Sequence, residues 1–145
     1  MKNHYQLPCN IAQTLNILGD KWTLLILRQI MSGHATYKEI QEHLEGIPSN
    51  LLANRLKTLE QDALILCKLY QLHPPRYHYM LTDSGRDLGD VFNSLILWGQ
   101  KHLKECPREL IHTPCEHPVE LQYYCPHCDA VVNKSEITST APAQS

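Results

Sequence analysis

Residues 36–64 read TYKEIQEHLEGIPSNLLANRLKTLEQDAL. Thr36 and Glu39 stand at the spacing of a capping box, in which a hydroxyl and a carboxylate satisfy the orphan amides of a helix start, so a short helix is expected through Leu44. Glu45-Gly46-Ile47-Pro48 then breaks the chain. Ser49 can cap a second helix over residues 49–62, on which Leu52, Leu56, Leu59 and Ala63 share one face. A short helix, a tight glycine-containing turn and a second helix make the helix-turn-helix layout. The opposite face of the second helix carries Asn50, Ala53, Asn54 and Lys57, with Arg55 and Thr58 at its edges. These side chains can bond base edges and phosphates, and a single helix fits the major groove of DNA.

Upstream, Ile11, Leu15 and Leu18 recur at helical spacing, with Gly19 expected to stop that helix at positive φ. A helix from Trp22 to Met31 follows, with Leu24, Leu25, Leu27 and Ile30 mostly buried. Downstream, Ile65–Leu72 and Tyr77–Thr82 are β-prone runs joined by His73-Pro74-Pro75-Arg76, the pattern of a two-stranded hairpin with a stiff, basic tip. Such a hairpin is a wing over residues 65–82. From Ser84 to Leu103 a long helix carries Leu88, Val91, Phe92, Leu95, Ile96 and Trp98, more than the stripe of roughly 100° that one core needs, so a partner subunit is expected to cover the surplus. The expected fold is mainly α with a small β-hairpin wing, an α+β winged helix-turn-helix over residues 1–105. A short Cys/His-rich β extension (106–133) and a small polar tail (134–145) follow.

The 145 residues are 43% hydrophobic and 19% charged, enough apolar surface for one sizeable core. A net charge of −2 excludes a polycation that coats nucleic acid indiscriminately. That near-neutrality is an average. Residues 21–80 hold seven basic and five acidic residues (+2), whereas residues 81–145 hold five and nine (−4). The start, MKNHYQLPCN, is polar, and no apolar run approaches a membrane span, so a cytoplasmic protein without membrane contact is expected. In that reducing setting six cysteines suit metal ligands, redox sensors or buried fillers better than a disulfide framework.

Gly19-Asp20-Lys21-Trp22, Leu24-Leu25-Ile26-Leu27-Arg28, Gly46-Ile47-Pro48, Leu52, Arg55-Leu56, Leu59-Glu60, Pro74-Pro75, Tyr79 and Leu81-Thr82-Asp83-Ser84-Gly85 follow one another in the order of the HxlR-type (MarR-like) winged-helix regulators. The resemblance spans about residues 9–100. It implies a homodimeric, sequence-specific DNA-binding transcriptional regulator, with dimer contacts from the first and last helices. Lys38, Ser49, Asn50, Asn54, Arg55, Lys57, Thr58 and Arg76 are then the expected DNA contacts. A dimer of this kind reads a pseudo-palindromic operator, with recognition helices roughly 34 Å apart. The chain departs from the family pattern at Ala63, where glycine is usual, and at Cys67, where arginine is usual.

The C-terminal extension holds His112-Thr-Pro-Cys115 and Cys125-Pro-His-Cys128, nine residues apart, with β-prone flanks. Zinc takes four soft or borderline ligands in a tetrahedron, and x2 spacing lets one turn supply two of them. His112, Cys115, Cys125 and Cys128 are therefore candidate ligands of a structural zinc, with His117, His127 or Cys106 as substitutes for His112. A hairpin with free thiols is the plainer alternative. Cys9 precedes the first helix, whose dipole can stabilise a thiolate, and sensing members of the family carry a cysteine at a similar place, so it is a candidate redox or electrophile sensor. Cys67 suits a packed small hydrophobe.

No enzyme is expected. A Ser/His/Asp order, a Gly-rich phosphate loop and paired acidic motifs are all missing from the sequence, and Cys125–Cys128 lacks the βαβ setting of a dithiol oxidoreductase. The competing function is a winged-helix dimer that serves as a redox-sensing or protein-interaction module without DNA binding.

Overall fold

The computed structural model describes residues 4–141. Helices α1 (Asn10–Leu18), α2 (Thr23–Met31), α3 (Tyr37–His43) and α4 (Ser49–Gln61) precede the hairpin β1 (Ile65–Gln71) and β2 (Arg76–Leu81). Helices α5 (Asp83–Asp87) and α6 (Gly89–His102) follow, and then two small hairpins. These are β3 (Ile111–His112) with β4 (His117–Pro118), and β5 (Tyr123–Cys125) with β6 (Ala130–Val132). The described chain divides into two compact units, the first ending at Phe92 and the second starting at Asn93, within α6.

In the first unit, Ile26, Leu27 and Ile30 of α2, Ile40 of α3, Leu52, Leu56 and Leu59 of α4, and Ile65 of β1 form the core, with Phe92 of α6 closing it. The apolar periodicity of α4 thus does what its spacing predicts. On α2 the buried stripe is Ile26, Leu27 and Ile30, while Leu25 is exposed. Helix α1 buries Ala12 and Leu18, and leaves Ile11 72% exposed and Leu15 45% exposed.

Local contacts explain the turns. Glu39 N donates to Thr36 Oγ1 (3.2 Å), while the Glu39 carboxylate reaches one residue further back and accepts from Ala35 N (3.0 Å). Gly46 takes φ +87, the left-handed turn that a side chain would strain. Ser49 does not cap α4. Pro48 occupies the cap position, and the Tyr37 hydroxyl bonds both the Ser49 hydroxyl and the Ser49 carbonyl (2.6 Å to the carbonyl), tying the starts of α3 and α4 together. Gly19 corrects another expectation, since its φ is −78. Glycine is needed there because a Cβ would lie 2.4 Å from the Leu15 carbonyl oxygen.

β1 and β2 pair antiparallel from Ile65↔Leu81 to Gln71↔Arg76. Tyr79 N donates to Ala35 O (2.7 Å), and Thr36 bridges His78, so the segment before α3 adds a stub of strand to the wing. Ala63, expected on the buried face of α4, lies beyond the helix end in a left-handed turn (φ 58). The single long helix expected from Ser84 is two, broken at Leu88. Thr82 Oγ1 donates to Ala63 O (2.6 Å) and accepts from Gly85 N (3.1 Å), which starts α5 at the end of the wing. A Cβ on the buried Gly85 would lie 2.2 Å from the Leu64 carbonyl oxygen, so only glycine permits this approach.

In the second unit, the tail opens with a single 3-10 turn (Lys134–Glu136) capped by Asn133, whose Oδ1 accepts from Ser135 N (3.0 Å). No helix among the described residues is long and apolar enough to cross a membrane.

Candidate nucleic-acid interface

Helix α4 presents Asn50, Ala53, Asn54 and Lys57 to solvent, opposite its buried leucine stripe. Asn54 is free of the core, and its carbonyl accepts from Thr58 Oγ1 (3.1 Å), which turns the Thr58 hydroxyl back toward the helix. Asn50 Oδ1 accepts from Leu51 N (3.0 Å) at the first turn. The Ser49 hydroxyl is engaged by Tyr37. Lys38 of α3 is 85% exposed and only 3.9 Å from Glu42, a loose (i, i+4) pair that water can replace. Arg76 is exposed at the first position of β2.

Arg55 departs from the expected role. Its side chain is only 17% exposed, and its Nε lies 3.2 Å from Asp20 Oδ1, an ion-pair distance without a well-aligned hydrogen bond. Position 55 lies just off the exposed face of α4, so the guanidinium turns toward the start of α2. There Asp20 Oδ1 accepts from Trp22 N (3.0 Å) and Thr23 N (3.1 Å), while Oδ2 accepts from the Thr23 hydroxyl. Burial pushes the Asp20 carboxyl up, but the Thr23 hydroxyl, the Trp22 amide, the Arg55 guanidinium and the Thr23 amide together hold it below the usual carboxylate range. Asp20 is the residue that sequence reading missed. The signal was present, because an aspartate three positions before Thr23 has helix-capping spacing.

An open groove of about 720 Å³ runs between α3 and the wing, lined by Lys38, Glu42, Tyr70, Arg76, Tyr77 and Tyr79 among others. Tyr70 and Tyr77 are roughly half exposed, and neither was singled out by motif or spacing. Burial first, then the neighbouring Cys67 and Glu60, push the Tyr79 hydroxyl up to about 12, so it stays protonated at neutral pH. Burial and Glu60 likewise push the Cys67 thiol up, as suits a packed side chain rather than a reactive one.

Cys9 is exposed at the N-cap of α1, without a side-chain capping bond. In the second unit, His112 and Cys115 come together, as do Cys125 and Cys128, each pair at the tip of its own hairpin. Among the described residues no group of three or more His, Cys, Asp or Glu side chains gathers around one point. The four expected ligands therefore form two pairs rather than one cluster.

The family model described as HxlR-like helix-turn-helix matches residues 17–107. An HTH-type transcriptional regulator of Mycobacterium tuberculosis, Rv3095, is 31% identical over 132 residues, covering 89% of this chain and 83% of the relative. The crystal structure of the transcription factor PA1607 superposes with a TM-score of 0.78 at 25% identity, covering 96% of this chain and 99% of that one. The redox regulator HypR in its reduced form gives a TM-score of 0.60 at 26% identity, covering 64% of this chain and 92% of its own. The matched family and its relatives are transcriptional regulators rather than enzymes. With most of its length matched in sequence and in fold, the chain belongs to the HxlR-like helix-turn-helix family of transcriptional regulators.

Proposed function

We infer that the protein is a homodimeric, sequence-specific DNA-binding regulator that sets α4 into the major groove and the β1–β2 wing on the flanking backbone. The observation that carries this reading is the exposed face of α4. Asn50, Asn54 and Lys57 project from a helix whose other side is fixed in the core by Leu52, Leu56 and Leu59. A rigid helix with amide and ammonium groups on its free face suits groove readout, in which amides bond adenine edges and lysines neutralise phosphates. Lys38 and Arg76 extend the cationic surface onto α3 and the wing. Arg55 enters this reading as a residue that fixes the orientation of α4 rather than as a phosphate contact.

A dimer is supported by apolar side chains that the chain leaves uncovered, Ile11 and Leu15 on α1, and Val91, Leu95 and Trp98 on α6. The last three recur at helical spacing along one stripe. Selection of binding sites from random duplex DNA tests the whole reading. Enrichment of a pseudo-palindrome is expected, with Asn54→Ala relaxing its sequence preference. Failure to enrich any palindrome favours the competing module that pairs without binding DNA.

Thiol control is a second reading. Its support is the exposed Cys9 at the head of α1, together with the likeness to HypR, whose structures are of a reduced and an oxidized redox regulator. Loss of operator affinity on treatment with an oxidant or aldehyde, abolished by Cys9→Ser, is the expected result. Equal response in Cys9→Ser removes Cys9 from the reading.

A further inference from the structure

The C-terminal unit forms regular hairpins without a core to hold them. The buried hydrophobic residues of the described chain end at Phe92, and Ile111, Leu121, Tyr123, Tyr124 and Val131 are each about half exposed. Strands of two and three residues are not stable in water on their own, and small modules that cannot bury enough apolar surface are held by disulfides or a metal ion.

The two hairpins share one design at their tips. In the first, His112 and Cys115 flank Thr113-Pro114, and the Cys115 and Glu116 amides donate to the His112 carbonyl (3.1 and 2.8 Å). In the second, Cys125 and Cys128 flank Pro126-His127 at the turn between β5 and β6. After the second donor of each pair the backbone turns left-handed, at Glu116 (φ 59) and Asp129 (φ 51). Left-handed backbone is unfavourable for such residues and persists where the surrounding geometry requires it. Each turn holds its two donors side by side, with His112 Nδ1 only 3.2 Å from Cys115 Sγ. The two tips thus share x2 spacing of two metal-ligating side chains followed at once by a left-handed residue.

We propose that His112 and Cys115 from one turn and Cys125 and Cys128 from the other bind a single zinc ion within one chain, and that the ion replaces the missing core of the C-terminal unit. Three thiolates and an imidazole match the tetrahedral, borderline-soft preference of zinc, whereas calcium and magnesium take oxygen ligands. A Cys125–Cys128 disulfide would leave the His112–Cys115 turn without a role. Among the candidate donors of the first turn, His112 already stands beside Cys115, its Nδ1 3.2 Å from Sγ, whereas Cys106 lies against Gly99 of α6, where a Cβ would meet its sulfur at 3.2 Å. Since the donors stand as two pairs, binding draws one hairpin onto the other, with loss of the three thiol protons as the thiolates coordinate.

Metal analysis of the full-length reduced protein, purified without chelator, tests the assignment, together with titration of the chelator-stripped protein by cobalt(II) as a spectroscopic stand-in for zinc. The expected results are about one zinc per chain and thiolate-to-cobalt absorption saturating at one equivalent. Cys115→Ser and Cys125→Ser should each retain less than about a tenth of that metal, whereas His117→Ala keeps it. Chelation should open residues 106–133 to protease while the helical circular dichroism of the winged helix persists, which separates metal loss from global unfolding. Wild-type protein with less than about a tenth of an equivalent, one ion per two chains, or stoichiometric metal in Cys115→Ser would each overturn the proposal.

Discussion

On α4, Lys57 faces solvent while Arg55, two positions earlier, is drawn against Asp20. The two cations should therefore fail differently. Lys57→Ala is expected to leave stability within about 0.5 kcal/mol, and to weaken binding to all DNA sequences while lowering the salt slope by about one. Arg55→Ala takes a guanidinium away from a partly buried carboxylate and should cost about 2 kcal/mol, seen as a lower midpoint in denaturant with an unchanged slope. If Arg55→Ala keeps full stability and instead flattens the salt dependence, the ion pair is incidental and the guanidinium serves DNA. The Asp20 carboxyl adds a pH dependence of known sign. Because its value in the folded protein is lowered, its contribution is fully present above the unfolded value near 3.9, and is lost as pH falls through the folded value. The stability gap between wild type and Asp20→Asn should thus be open at neutral pH and close on acidification below about pH 4. Equal gaps at neutral and strongly acidic pH would mean that the charge of Asp20 does not matter. Sequence reading placed both cations on α4 correctly and assigned both to DNA, because helical spacing fixes a residue's angle but not the direction its long side chain takes. The deciding partner lies 35 positions away, between α1 and α2.

The elements of the DNA-binding unit were largely legible, since each has a local cause: the Thr36–Glu39 cap, the glycine turn at 46, the leucine stripe of α4, and the diproline between two β-prone runs. What escaped was set by contacts distant in sequence. The long helix expected from Ser84 breaks at Leu88, where α5 is held at the end of the wing by Thr82 bonding the Ala63 carbonyl and by the close approach of Gly85 to Leu64. The same junction contains a testable strain. Ala63 links α4 to β1 in left-handed backbone (φ 58), at the position where the family usually has glycine. Left-handed backbone costs an L-residue about 1–2 kcal/mol, and glycine's extra chain entropy takes back about 0.5–1 kcal/mol. Ala63→Gly should therefore stabilise the fold by up to about 1 kcal/mol, a rise of a few degrees in melting temperature. An unchanged or lower melting temperature would show that the turn accommodates alanine without strain. The two C-terminal turns repeat this left-handed geometry at Glu116 and Asp129, and there the ligand pairs were legible from their x2 spacing, whereas their standing apart as two pairs is visible only in the fold.

At the scale of the whole molecule, the charge division read from the sequence matters only if two chains act together. A single DNA-binding unit with a local excess of two positive charges is a weak electrostatic anchor, whereas two such units on one duplex act with an effective concentration set by the dimer. The proposed pairing draws on exposed apolar side chains of each unit: Ile11 on α1 is 72% exposed, and on α6 Leu95 is 52% and Trp98 59% exposed along one stripe, where side chains of this size are rarely left to water. The sequence announced the surplus on the last helix. On α1 the family resemblance implied dimer contacts, but the spacing of Ile11 and Leu15 is that of core residues, and only the packed structure shows that Ala12 and Leu18 take the inner face. Leu95→Glu and Trp98→Glu should each convert the protein to a monomer in sedimentation, with the helical circular dichroism intact because neither side chain contributes to the buried core. Affinity for the palindromic operator should then fall at least about 100-fold, while affinity for a single half-site changes little. A variant that sediments as a monomer yet keeps full operator affinity would sever pairing from DNA recognition. A variant that remains dimeric would move the interface away from this stripe of α6.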